Sequence, residues 1–226
     1  MRVLALETST EYCSVALWQD GAVVERCELA GQKHSEVLIE MVDLLLRDAG
    51  ATLAQLDGIA FGMGPGSFTG VRIACGVAQG LAFGANLPVA GVCTLEALAE
   101  ASGQSRVIAA LDARMGELYF AAYEKRDGVW ITVAAPRLCR PEDAPVLQGV
   151  GWFGAGSGFA MHGAVLGERY AGRLQGVDGG AVPQAAAIAV LGAARFALGR
   201  GVDAAEALPL YLRDKVALKT SERAKI

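Results

Sequence analysis

Short apolar runs separated by Asp-Gly turns open both halves of the chain. Val3 to Ser9 is an apolar run with a polar tip, Glu7-Thr8-Ser9, and Cys13 to Gln19 is a second run. Asp20-Gly21 reads as a hairpin turn and Val23 to Ala30 as a third strand. A helix is expected from His34 or Ser35 to about Ala49, stopped by Gly50. A strand at about 57–62 leads into a glycine loop, Gly62-Met-Gly-Pro-Gly66. Pro65 pre-sets a turn there, and Ser67 or Thr69 is placed to cap a helix running to about Gly84. Pro88 to Cys93 is a further strand, and Thr94 is expected to cap a helix to about Ser102.

The pattern then restarts. Val107 to Ala113 echoes Val3 to Thr8, Glu117 to Glu124 is a second strand, Asp127-Gly128 a turn, and Val129 to Ala135 a third strand. A helix from Pro141, a strand near Val150 to Phe153, a Gly154-Ala-Gly-Ser-Gly158 turn and later helices follow. Each half thus begins with three antiparallel strands and continues with alternating helices and strands. That duplication predicts an α/β chain of the actin-like (ASKHA) class, which places nucleotide between its halves. The expected lobes are 1–103 and 104–208, with 209–226 a C-terminal segment and charged tail.

Two helices of the first half carry more apolar surface than one sheet face can cover. In 35–49 the charges Glu36, Glu40, Asp43 and Arg47 form one narrow stripe, and Val37, Met41, Leu44 and Leu45 lie among the apolar remainder. In 68–84 Arg72 is the only charge, and Gly76, Gly80 and Gly84 recur at four-residue spacing beside Ile73 and Val77. Small residues at that spacing let a second helix come close. A partner interface on Val37, Met41, Leu44, Leu45, Arg72, Ile73, Gly76, Val77 and Gly80 follows as an expectation.

Composition fits such a covered surface. The chain is 53% hydrophobic and 19% charged, with mean hydropathy +0.36. A net charge of −4 argues against nucleic-acid binding by the body alone. Cys13, Cys27, Cys75, Cys93 and Cys139 contain no CxxC pair and read as thiols of a reducing, cytoplasmic compartment. No run of about twenty apolar residues suggests a membrane span, and the N-terminus lacks a signal-peptide pattern. The tail residues Lys215, Lys219, Arg223 and Lys225 read as a solvated segment.

Candidate chemistry centres on the glycine loop. A helix N-terminus after a glycine turn favours an anion. The spacing is nevertheless not that of a P-loop, because no Lys occurs between Lys33 and Lys125. The third glycine of a dinucleotide fingerprint is replaced by Ser67, and the nucleophile elbow's first glycine by Pro65. Glu7, Thr8 and Ser9 stand where an actin-like fold has its first phosphate turn, and Asp112 where it has its second. Gly154 and Gly156 stand at an adenosine-side turn. His34 reads as a helix-start or interface residue, with no acid partner.

Leu4-Ala-Leu-Glu-Thr-Ser-Thr10, Gly64-Pro-Gly-Ser-Phe-Thr-Gly-Val-Arg-Ile73, Ala110-Leu-Asp-Ala-Arg-Met-Gly-Glu117 and Pro209-Leu-Tyr-Leu-Arg213 resemble the TsaB (YeaZ) family. These are accessory subunits of bacterial tRNA threonylcarbamoyladenosine synthesis. The resemblance implies partnership with the paralogue TsaD and the ATPase TsaE, and a homodimer when the partner is absent. It implies transfer of threonylcarbamoyl from its adenylate to N6 of A37 in tRNAs reading codons that begin with A. It also implies that tRNA is met through the complex only, with ATP or ADP at the complex level and no cofactor of the chain's own. TsaD carries a metal-binding His-x-x-x-His after the strand that follows the loop; here Thr94 and Leu98 occupy those positions. The resemblance therefore implies a scaffold without a metal site or catalytic residues. An independent actin-fold ATPase or phosphotransferase is the alternative, and a peptidase acting on TsaD ranks last. On the scaffold reading, Val77→Glu and Leu45→Asp are expected to abolish the complex and leave the monomer folded.

Overall fold

A computed structural model describes residues 1–213. Its elements are β1 (Arg2–Glu7), β2 (Tyr12–Gln19), β3 (Ala22–Leu29), α1 (His34–Asp48), β4 (Gly58–Gly64), α2 (Phe68–Ala85), β5 (Val89–Cys93) and α3 (Thr94–Ala101). They continue with β6 (Arg106–Asp112), β7 (Leu118–Arg126), β8 (Val129–Cys139), β9 (Trp152–Ala155), α4 (Ser157–Arg169), β10 (Leu174–Asp178) and α5 (Ala185–Ala197). Two five-stranded sheets result, ordered β3-β2-β1-β4-β5 and β10-β9-β6-β7-β8. Each has an antiparallel three-strand unit extended by two parallel strands. The same order with the same strand senses, twice, is the duplicated actin-like plan.

Strand alternation decides which side chains each layer receives. Leu4, Leu6, Cys13, Val15 and Leu17 face α1 and α2, whereas Val3, Ala5 and Ala16 face α5. Small residues on the second face let α5 lie close: a Cβ at Gly192 would come 2.4 Å from that of Ala60. In the second sheet, Ile108, Leu118 and Phe120 share a core with Phe159 and Leu166 of α4, and Val107, Ala109 and Ala121 share one with Leu95 and Leu98 of α3. Helices are thus exchanged between the halves. α3, from the first half, packs on β6 and β7, and α5, from the second, packs on β1, β2 and β4. The ion pair Arg195–Glu96, 2.7 Å, joins them. A division at residue 103 therefore separates the two sheets, with α3 and α5 packing across it.

Three local expectations change. The helix expected from Pro141 is a single 3-10 turn, Pro141–Asp143, because Pro145 disfavours helical backbone at Ala144. Thr94 does not cap α3; its hydroxyl is spent on the Pro65 carbonyl, and Cys93 takes the cap position. β10 is a half-exposed edge strand, Leu-Gln-Gly-Val-Asp, without the apolar run that would announce it. The charged tail from Lys215 onward lies outside the described residues.

Candidate docking face and interlobe cleft

The glycine loop is closed by the chain itself. Ser67 caps α2, its hydroxyl accepting from Gly70 N at 3.3 Å. The β1–β2 turn then fills the space before the helix. Ser67 N donates to Ser9 O at 2.8 Å, and the Thr8 hydroxyl donates to Gly70 O at 2.8 Å. A Cβ at Gly70 would sit 1.9 Å from Thr8 O, and one at Gly66 would sit 2.6 Å from the Ser9 Cβ. These glycines serve close packing of the two turns, and Glu7, Thr8 and Ser9 are buried between them.

Glu7 is the most perturbed group of this region. It is 1% exposed, accepts from Ser9 N at 2.5 Å, and leaves Oε2 without a partner, as Ser9 leaves its hydroxyl. Burial pushes its carboxyl up to about 7, against the lowering effect of the Ser9 and Thr8 backbone N–H groups. Gly62 makes the room: a Cβ there would lie 1.8 Å from Glu7 Oε2.

A cleft of about 1200 Å³ opens between the β1–β2 turn and the start of α2 on one side and the end of β6 and start of α4 on the other. Of the six residues expected to meet nucleotide, Ser9 and Asp112 line it. Asp112 accepts from Arg114 N at 3.0 Å, pairs with the Arg114 guanidinium at 3.3 Å, and donates its own N–H to the Ser157 hydroxyl. Gly154 and Gly156 are walled in, the first by Phe159 and the second by Ala110 and Leu98. At the dyad positions Leu98 is buried and Thr94 is bonded to Pro65. His34 is buried at the start of α1, its Nε2 3.1 Å from Tyr12 O.

The outer faces of α1 and α2 lie side by side. α2 is the one described helix long and apolar enough to cross a membrane, but Val71, Ala74, Cys75, Ala78 and Ala82 seat it on the first sheet's core. Its other side carries Arg72, Gly76, Gly80 and Phe83 in the open, with Phe83 83% exposed and Ile73 and Val77 half-buried. A Cβ at Gly76, Gly80 or Gly84 would meet nothing within 4 Å. Ile39 and Leu44 are exposed on α1, and Val37 is half-buried. Met41 and Leu45 point the other way, into the core, so they leave the expected interface. Leu45 is 0% exposed, and Leu45→Asp would unfold the chain before it tested docking.

One contributor escaped the sequence reading. The segment after residue 206 runs along α2, with Ala207 O accepting from Gln79 at 3.0 Å and Leu210 N donating to Met63 O at 2.7 Å. Tyr211 stands 6.2 Å from Phe68, and Arg72 lies over both rings at 3.3 and 4.6 Å. Arg213 then crosses to the second half, pairing with Glu117 at 2.7 Å. Its motif was visible in Pro209–Arg213; the pairing partners, over a hundred positions away in part, were not.

The family described as TsaD, tRNA N6-adenosine threonylcarbamoyltransferase, matches residues 25–153. An Escherichia coli protein named tRNA threonylcarbamoyladenosine biosynthesis protein TsaB is 39% identical, covering 97% of this chain and 97% of its own length. The chain belongs to the TsaB family. A Haemophilus influenzae TsaB is also 39% identical, over 97% of this chain and 96% of its own length. The solved structure of YeaZ from Pseudomonas aeruginosa is 42% identical, with a TM-score of 0.86 over 93% of this chain and 99% of that one. The TsaB-family fold is therefore shared along nearly the whole chain.

Proposed function

We propose that the chain is a non-catalytic scaffold subunit in the formation of N6-threonylcarbamoyladenosine at A37 of tRNAs reading codons that begin with A. Its relatives are named for tRNA threonylcarbamoyladenosine biosynthesis, which supports the reading. TsaD, helped by TsaE, carries the chemistry in this reading, and the chain holds TsaD through α1 and α2. tRNA is met through the complex, and ATP or ADP acts at the level of the complex.

The observation that carries the reading is the open glycine row of α2. A helical glycine is disfavoured by about 1 kcal/mol relative to alanine. Gly76, Gly80 and Gly84 serve no packing need among the described residues, yet they share an exposed face with Phe83. A helix drawn close by a partner gives them a use. Ile39 and Leu44 add exposed apolar side chains on the neighbouring α1, so two helices of the partner would complete a four-helix contact. Without the partner, a second copy offers the same surface and would form a homodimer. The rival reading, an independent ATPase or phosphotransferase, has less support, because Thr8 and Ser9 fill the space before α2.

Gly80→Glu tests the face, since its side chain enters open space and spares the core. Co-purification with TsaD should be lost while the melting temperature is retained. Retained co-purification would refute docking through α2.

A further inference from the structure

The two halves differ at a place that the duplication makes visible. In the first sheet α1 packs over β2, and the paired residues Leu4 and Leu17 are buried beneath the helix layer. Counted back from the Asp-Gly turns, Leu17 corresponds to Glu124, whose cross-strand partner is Arg106. No described helix crosses that pair. The link from Cys139 to Trp152 offers only the turn Pro141–Asp143, and its Ala144 and Leu147 cover the Ile108 and Phe120 end. A groove of about 660 Å³ is left beside residues 145–149.

Its chemistry is one-sided. Arg106, Arg126 and Arg137 line it against one carboxylate, Glu124, which accepts from Arg106 at 3.0 Å and Arg126 at 2.8 Å. Those bonds hold the Glu124 carboxyl below its ordinary range and leave positive charge in excess. Among the described residues Arg137 bonds only to the Ala135 carbonyl of its own strand, at 3.3 Å. Exposed valines line the groove beside the arginines, Val133 on β8 and Val146 on the link. Arginine set among apolar side chains is the composition of a protein contact; a phosphate-binding surface has no use for the valines.

We propose that this groove receives an acidic amphipathic helix of another protein, lying where α1 lies in the first half. The duplication supplies the shape of the occupant, and the arginines supply its sign. The chain's own terminal stretch has the wrong sign, with Lys215, Lys219, Arg223 and Lys225 against Asp214 and Glu222. The groove is on the opposite lobe from the α1–α2 face, so either surface can fail while the other stands.

The test titrates the isolated chain with a capped Leu/Glu amphipathic peptide of α1's length, 15 residues, and with its Lys-for-Glu counterpart. Backbone amide and arginine Nε–Hε signals are followed by NMR. The acidic peptide should shift residues 129–137 and 146–150 together with the Arg106, Arg126 and Arg137 side chains. Arg137→Glu breaks no contact beyond its own strand and should weaken the peptide about tenfold or more. Four outcomes overturn the proposal: equal binding of both peptides, shifts confined to α1 and α2, self-association through the groove without peptide, or an RNA oligonucleotide occupying it in preference to the acidic peptide.

Discussion

Replacing Gly76 and Gly80 together by alanine should raise the chain's stability and lower its affinity for TsaD. In the free chain a Cβ at either position meets nothing within 4 Å, and both lie inside α2, so no strain opposes the gain in helix propensity. Alanine is favoured over glycine by about 0.8–1.0 kcal/mol per helix-interior site, so the pair stabilises by roughly 2 kcal/mol. For a chain of this size that is on the order of 4–8 °C in melting temperature. On the scaffold reading the two methyl groups would stand where the partner helix comes close, and packing lost there should cost at least about 1.4 kcal/mol, a tenfold weaker Kd. Melting followed by circular dichroism gives the first quantity and calorimetric titration with TsaD the second. A misfolded variant cannot produce this pair of opposite signs. Lower stability would mean that the glycines serve the chain's own packing. Higher stability with unchanged affinity would mean that the outer face of α2 is not the contact.

Gly70→Ala should act in the opposite sense to Gly80→Ala on the same helix, lowering the melting temperature by several degrees, because its Cβ would fall 1.9 Å from Thr8 O. Leu45→Asp, which buries a charge at a fully buried site, should give insoluble or unfolded protein on expression, whereas Leu44→Asp should yield folded monomer that no longer co-purifies with TsaD. Glu7 sets a pH dependence. Its folded pKa of about 7 lies above the ordinary 4.5, so the folded state favours the protonated form. The stability this contributes is complete below about 4.5 and is lost as pH rises through 7, by roughly 3 kcal/mol at most at about 1.36 kcal/mol per pKa unit. Urea midpoints measured from pH 4.5 to 8 should fall in the native chain more steeply than in Glu7→Gln; parallel curves would show that Glu7 is already charged when buried.

Much of the fold is legible because the chain repeats itself. Two Asp-Gly turns flanked by apolar runs specify two hairpins, and the polar tip after each first strand marks where the halves face each other. The exchange of α3 and α5 between the sheets leaves no such mark, since alanine-rich helices suit either layer and only long-range packing, such as Gly192 against Ala60, selects one. The same holds for the docking face. Periodicity shows that α1 has apolar residues to spare, but a helix apolar nearly all round does not declare which side turns inward. Met41 and Leu45 are core, and Ile39 and Leu44, two positions and one position earlier, are surface. The glycine loop carried two meanings in sequence, anion cradle or close packing. Thr8 and Ser9, brought in by β1, pack against Gly66 and Gly70 and give those two glycines the second meaning.

The measurement closest to the central claim is reconstituted tRNA modification with purified TsaD and TsaE, supplied with threonylcarbamoyl-adenylate, ATP and tRNA, with the chain added or omitted. The scaffold account predicts that threonylcarbamoyladenosine at A37 requires the chain, that the chain alone forms none, and that Gly80→Glu behaves as omission does. Full modification without the chain, or transfer by the chain alone, would contradict it.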